Sequence, residues 1–239
     1  MSDLKKVLIV IPCYNEEVVI DKFFYELDTF IRKSQSTPFS YSVLIVDNNS
    51  TDRSKELISL NIQKYQLQSQ VTITDCSVQG YGAALKKGFQ TGSADFYGFA
   101  DLDSTYPLES FFDMMALIQK HSYKMITTNR FSDTTGMPWI RRLGNTIYKS
   151  LVNIFYQQQL PDVCSGMRIF ERSVLPQVVA LPEDGLNFSI ALTLRMLQDR
   201  WAFSIYDIEY RERLGASKLS VLKDGVLFFK TILEFKIFR

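Results

Sequence analysis

Asp101-Leu102-Asp103 follows directly on the apolar run Phe96–Ala100. Two carboxylates at i and i+2 can turn toward one point where a strand has ended in a loop. They are hard oxygen ligands that suit Mg2+ or Mn2+ beside phosphate oxygens. A cation held there neutralises a departing diphosphate. Two acids in a loop are more often merely solvated, so the pair draws its weight from its place after a strand.

Three further segments carry candidate chemistry. Asp47-Asn48-Asn49-Ser50-Thr51-Asp52 begins with an acid at the end of the run Ser42–Val46. Ser50 and Asp52 suit helix capping, which does not account for Asp47; its carboxylate can accept hydrogen bonds from a base N–H or ribose hydroxyls. In Pro12-Cys13-Tyr14-Asn15-Glu16-Glu17, the two glutamates suit a helix N-terminus, while Pro12 and Tyr14 can wall a nucleobase. Gly80-Tyr81-Gly82 permits close backbone approach at a helix start, so Gly82 joins the donor-binding candidates. In the second half, Arg130, Arg142, Arg168, Arg213 and Lys218 all fall in loops or at element ends. Any one is an ordinary surface cation, but five together suggest an anion site, for which arginine offers bidentate phosphate contacts. Glu183-Asp184, between Pro182 and Gly185, is the competing feature: one of these acids can serve as base toward a hydroxyl acceptor.

These residues need a scaffold, and the composition supplies one. Of 239 residues, 46% are hydrophobic, enough to close a sizeable core. The formal net charge of +1 gives no footprint for nucleic acid, so none is expected as a partner. Cys13, Cys76 and Cys164 are odd in number and lack CxxC spacing, which points to reduced thiols in the cytoplasm. His121 is the sole histidine and reads as a structural or surface residue near a helix C-terminus. No segment reaches the ~20 apolar residues of a spanning helix, so the chain is expected to be soluble or peripheral to a membrane.

The apolar β-branched runs Val7–Ile11, Ser42–Val46, Val71–Thr74, Phe96–Ala100 and Lys124–Thr127 predict strands. Between them, Glu16–Lys33, the stretch from Ser50 to Tyr65, the residues after Gly80 and those after Pro107 predict helices. Alternation of this kind implies an α/β fold with a mostly parallel sheet flanked by helices. Ligands bind such sheets at the C-terminal strand ends, where Asn15, Asp47, Asp101 and Asp103 converge. Ile140–Tyr156 and Asn187–Asp199 read as helices, Phe203–Tyr210 as a strand and Ser165–Phe170 as a short strand or turn. Leu219–Arg239 places Val226, Phe228, Phe229, Ile232 and Phe235 on a wide apolar face, with Lys223, Lys230, Lys236 and Arg239 among its cations. It is either a core-packing helix or one that meets a membrane surface or a membrane-embedded partner.

V-L-I-V-I-P-C-Y-N-E-E, V-L-I-V-D-N-N-S-T-D, G-Y-G-A-A-L-K-K-G and A-D-L-D together resemble inverting family 2 glycosyltransferases of GT-A fold. R-R-L-G-N, D-V-C-S-G-M-R and R-L-G-A-S-K-L resemble the subgroup of dolichol-phosphate mannosyltransferases and bacterial polyprenyl-phosphate sugar transferases. The resemblance implies that Pro12, Tyr14, Glu16 and Asp47 hold the nucleoside and that Asp101 and Asp103 hold metal, with Asp103, Arg130 and Arg168 at the reaction centre. Arg142, Ser165, Arg213 and Lys218 would take the acceptor phosphate. Where the subgroup often has glutamine near the metal, this chain has Thr105. The expected reaction moves a hexose from a UDP- or GDP-sugar to a polyprenyl or dolichyl phosphate. A phosphate oxygen is already ionised near neutral pH and needs no catalytic base. The alternatives are a saccharide hydroxyl acceptor, with Glu183 or Asp184 as base, and a non-catalytic nucleotide-sugar-binding subunit. Residues 1–218 would form the catalytic domain and 219–239 the amphipathic helix, placing the protein in the cytoplasm at the inner face of a membrane.

Overall fold

The computed structural model describes residues 4–133, 139–209, 211, 213–214 and 220–238. β1 (Lys5–Cys13) runs parallel to β2 (Phe39–Asp47) and to β4 (Phe96–Phe99), and β3 (Val71–Asp75) lies parallel on the outer side of β2. α1 (Ile20–Ser34), α2 (Ser54–Lys64) and α3 (Tyr81–Thr91) make the crossovers. On the far side of β4 stand β6 (Arg168–Glu171), β5 (Met125–Asp133) and β7 (Phe203–Glu209), giving the order β3-β2-β1-β4-β6-β5-β7.

β1 is continuously apolar because both faces are covered. Val7, Ile9 and Ile11 enter a core beneath α1, α2 and α4 (Ser110–His121). Leu8 and Val10 enter a second core beneath α3, α5 (Trp139–Tyr156), α6 (Leu175–Val179), α7 (Phe188–Gln198) and α8 (Val221–Phe238). His121 closes α4 and is exposed.

The structure departs from the sequence reading in four places. β6 is antiparallel to both neighbours, β4 and β5. α1 starts at Ile20; Glu16–Val19 form a turn closed by Val19 N–H on the Glu16 carbonyl. α2 starts at Ser54, not at Ser50: Asp52 Oδ1 does accept from Ser54 N–H at 2.9 Å, while Ser50 Oγ and Asp52 Oδ2 serve the neighbouring loop. Pro107 opens a turn, not a helix: its carbonyl accepts from Ser110 N–H, and α4 begins there. α8 packs on α7 and α5 with Phe228, Ile232 and Phe235 buried, so one face belongs to the protein's own core. Its other face leaves Val226, Phe229 and Ile237 exposed.

Candidate active site

The loops after β1 and β2 are tied together by side chains. Asn15 adopts a left-handed backbone, φ 52°, a conformation asparagine tolerates better than most residues. Its Oδ1 accepts from Thr51 N–H at 2.7 Å, while Ser50 Oγ accepts from Asn15 N–H at 3.1 Å. Ser54 Oγ accepts from Glu16 N–H, and Asp52 Oδ2 from Glu17 N–H. Asn48 extends the weave: its Nδ2 donates to the Cys76 and Val78 carbonyls, and its Oδ1 accepts from Gly80 N–H at 2.7 Å. The strand-end loops thus present Pro12, Tyr14 and Glu16 to one cavity of about 420 Å³. Asp47 lies behind this wall, 5% exposed, with Oδ1 buried and lacking a hydrogen-bond partner.

Asp101 and Asp103 form the floor of the cavity. Ser104, at φ 59°, turns the chain so that Thr105 N–H and Oγ1 both donate to Asp103 Oδ1, at 3.2 and 2.6 Å. Thr105 therefore orients an acid and leaves Asp103 Oδ2 to face the cavity cations. Tyr81 donates its hydroxyl to Asp101 Oδ1 at 2.8 Å. Burial, and then the neighbouring Asp103 charge, push the Asp101 carboxyl up to about 7. Burial, followed by Asp101, pushes the Tyr81 hydroxyl up as well, so it stays a donor. Gly166 leaves the space that Asp101 uses: a Cβ there would stand 2.7 Å from Asp101 Oδ2. Its N–H donates to Tyr106 Oη at 2.7 Å.

Two neighbouring carboxyl groups, Asp101 without an ammonium or guanidinium partner among the described residues, fit a divalent cation. Among the described residues no cluster of three or more acidic, histidine or cysteine ligands forms. Two carboxylates plus substrate phosphate oxygens and water are the donor set that Mg2+ commonly uses.

The candidate anion residues do not all reach this cavity. Arg130 does, held by a bidentate pair with Asp162: Nε to Oδ2 at 2.6 Å and Nη2 to Oδ1 at 3.0 Å. Arg213 does as well, with Nε 3.2 Å from Asp103 Oδ2 and Nη2 3.6 Å from Glu16 Oε1. Arg168 does not. It is fully buried, donating to the carbonyls of Ser165, Val163 and Ser189, and burial lowers its guanidinium to about 10. Ser165 is also fully buried, its Oγ 2.6 Å from Thr128 Oγ1. Arg142 is exposed on α5, away from the cavity lining, and Lys218 lies outside the described residues. Gly82 packs rather than binds: a Cβ would meet the Glu183 carbonyl oxygen at 2.5 Å and Phe188 Cβ at 2.7 Å.

Neither Glu183 nor Asp184 lines the cavity. Glu183 is buried, and Asp184 pairs with Lys86 Nζ at 2.7 Å. The far wall is built by residues that sequence reasoning did not assign to a site: Asn145 and Tyr148 on α5, Leu186 and Ser189 around the start of α7, Asp224 and Phe228 on α8. Tyr148 and Phe228 pack edge to face, ring centres 5.5 Å apart. The aromatic periodicity of α5 and α8 was the available signal, but nothing in it pairs two helices so far apart in the chain.

Residues 8–179 match the family described as Glycosyl transferase family 2. The chain is 26% identical to a dolichyl-phosphate hexose transferase of Haloferax volcanii over 227 residues, 95% of this chain and 92% of that protein. It is also 26% identical over 227 residues to a dolichol-phosphate mannosyltransferase of Pyrococcus furiosus, covering 93% of this chain and 61% of that protein. Among solved structures, glucosyl-3-phosphoglycerate synthase of Mycobacterium tuberculosis, in complex with Mn2+, UDP-glucose and phosphoglyceric acid, superposes with a TM-score of 0.73. That likeness covers 97% of this chain and 80% of the other at 18% identity, and it shows a shared GT-A fold.

Proposed function

This chain belongs to glycosyl transferase family 2, and we propose that it moves a hexose from a UDP- or GDP-sugar to a polyprenyl or dolichyl phosphate. The observation that carries the choice of acceptor is the exclusion of Glu183 and Asp184 from the cavity, where Arg130 and Arg213 stand instead. A hydroxyl acceptor needs a base, whereas an ionised phosphate oxygen needs only to be positioned. The similarity to two proteins named for dolichyl or dolichol phosphate supports the lipid.

Pro12, Tyr14 and Glu16 line the nucleoside end, and Asp47 Oδ1, an acceptor without a partner, supports a role for that acid in holding the same group. Asp101 and Asp103 would hold Mg2+ or Mn2+, which supplies positive charge for the diphosphate leaving group; the neighbour crystallised with Mn2+ and UDP-glucose supports this. Arg130, kept rigid by Asp162, is aimed at the phosphates and cannot drift with them. The acceptor phosphate oxygen attacks the anomeric carbon from the face opposite the leaving group. One carbon–oxygen bond forms, the bond to the diphosphate breaks, and configuration inverts. Arg168 supports this from the core, bracing the 163–165 backbone next to Gly166.

The lipid must reach this site at a bilayer surface. Among the described residues no helix is long and apolar enough to cross a membrane. α8 exposes Val226, Phe229 and Ile237, and α5, packed beside it, exposes Leu143, Ile147 and Ile154. Lys223, Lys230 and Lys236 on α8 are also exposed and suit anionic headgroups. We place the protein peripherally at the inner face of a membrane, and its free cysteines fit the reducing cytoplasm. In this reading residues 1–218 carry catalysis and 219–239 add the helix that walls the acceptor side.

One observation favours a second reading: Asp224 lines the cavity and can serve as base toward a saccharide hydroxyl. The deciding experiment compares hexose transfer to a short polyprenyl phosphate and to an oligosaccharide, using the wild type and Asp224→Asn. Transfer to the lipid phosphate that persists in Asp224→Asn supports the first reading. Transfer to the sugar alone, abolished in Asp224→Asn, would establish the second. Donor binding without transfer to either would leave a nucleotide-sugar-binding subunit.

A further inference from the structure

Arg130 and Arg213 both face the cavity, yet they are held in opposite ways. Arg130 is locked by two directed bonds to the fully buried Asp162 side chain. Among the described residues Arg213 has no such lock. Its Nε stands 3.2 Å from Asp103 Oδ2 but is buried without a properly directed hydrogen bond. Its Nη2 reaches Glu16 Oε1 only at 3.6 Å. Toward the described residues the guanidinium is attracted by charge and not bound by geometry, and its side chain is 22% exposed.

The oxygen that attracts it matters. Asp103 Oδ1 already accepts from Thr105 N–H and Oγ1, so Oδ2 is the oxygen that remains for a cation. Arg213 and a divalent ion therefore compete for one atom. We propose that Arg213 is an exchangeable latch on the metal carboxylate. It weakens binding of the ion alone and is drawn off when the diphosphate arrives to accept the guanidinium in place of Asp103. Metal and nucleotide then bind cooperatively: the diphosphate removes the competitor and also supplies further oxygen ligands. By linkage, the factor by which nucleotide tightens metal equals the factor by which metal tightens nucleotide. Arg213 lies in the chain between β7 and α8, so its change of partner connects donor arrival to the segment leading into the acceptor wall. The inference rests on the donor and metal reading above, but not on the lipid acceptor.

The test is a titration with Mn2+ alone, followed by electron paramagnetic resonance of the free ion, in wild type and Arg213→Gln, then repeated with saturating UDP or GDP. Arg213→Gln is expected to bind Mn2+ alone more tightly, by about three- to tenfold, the scale of losing one partly exposed ion pair. The gain in Mn2+ affinity on adding nucleotide should shrink by about tenfold or more, since the variant has no guanidinium to transfer. Equal or weaker binding of Mn2+ alone in Arg213→Gln overturns the latch, as does a wild type that binds Mn2+ equally with and without nucleotide. Should Arg213→Gln not fold, Arg213→Lys is read in its place. It keeps the charge but loses the planar fork, so Mn2+ affinity between wild type and the Gln expectation supports the latch and unchanged coupling overturns it. A chain that passes this titration yet transfers nothing to lipid phosphate would refute the acceptor reading and leave the latch standing.

Discussion

Replacing Asp162 by Asn should cost more than any surface substitution in this protein. The Asp162 side chain has no exposure and that of Arg130 only 15%, so water screens the pair little. Four donors converge on the carboxylate: Arg130 Nε and Nη2, Cys164 N–H at 3.0 Å and Arg130 N–H at 3.4 Å. Asp162 is also the foremost favourable charge for Arg168, whose guanidinium burial already lowers to about 10. Asparagine keeps the shape, removes the charge and turns an acceptor into a donor facing donors. Both guanidiniums then lose their foremost favourable charge. Breaking a buried pair from one side costs about 3–5 kcal/mol. For a domain of this size that is a fall in Tm of about 6–20 °C. Urea unfolding followed by circular dichroism would measure it in Asp162→Asn, in Arg130→Met and in Arg130→Met with Asp162→Asn. The double variant should lose less than the two single variants together, because Arg130 is no longer there to be stranded and only Arg168 is left without its anion. A loss under about 1 kcal/mol in Asp162→Asn, or additive losses in the double variant, would refute the claim that the pair is buried and mutually dependent.

Gly166→Ala should weaken UDP or GDP binding in the presence of Mn2+ by at least about tenfold in calorimetry, since its Cβ would crowd Asp101 Oδ2 and Tyr106 Oη; unchanged affinity would take Asp101 out of the donor site. Burial, reinforced by Asp47 for Cys13 and Asp162 for Cys164, pushes both thiols up to about 12. Because the thiolate is the reactive form, both should resist iodoacetamide at pH 8 in the native protein and react readily in urea, as mass spectrometry of the labelled peptides would report. Val226→Asp with Phe229→Asp alters exposed positions of α8, so it should leave Tm within about 2 °C while lowering co-sedimentation with anionic liposomes severalfold. Undiminished sedimentation would remove α8 from the membrane contact.

The donor half of the fold was legible because burial on both faces writes itself as unbroken apolar runs. Val7–Ile11 and Phe96–Ala100 could be little else, and acids directly after such runs mark a ligand edge. The same reading had no access to strand direction. Arg168–Glu171 is four residues whose antiparallel pairing depends on partners from residue 96 to 127. Arg168 illustrates a second limit. Arginine is almost always placed at a surface, and only three carbonyls gathered from Val163, Ser165 and Ser189 make this one internal. Ser50 and Asp52 have the composition of a helix cap, and the same oxygens serve equally well to bind a neighbouring loop. The apolar breadth of α8 was visible, but an apolar face states only that something covers it. Phe228, Ile232 and Phe235 turned out to be covered by the protein itself.

The antiparallel direction of β6 bears on how this site can diversify. Because β6 opposes β4, the residues preceding it, not those following it, arrive beside Asp101, and Gly166 is among them. α5 and the turn after it stand in the chain between the end of β5 and that glycine. Changes of length or sequence within α5 and the turn after it therefore remodel the far wall of the cavity, while the register of β1, β2 and β4 that carries the loops of Pro12, Asp47 and Asp101 stays as it is. On the proposed function, a library confined to α5 and residues 157–161 is expected to alter acceptor preference while donor preference is kept, as transfer assays that vary both substrates would report.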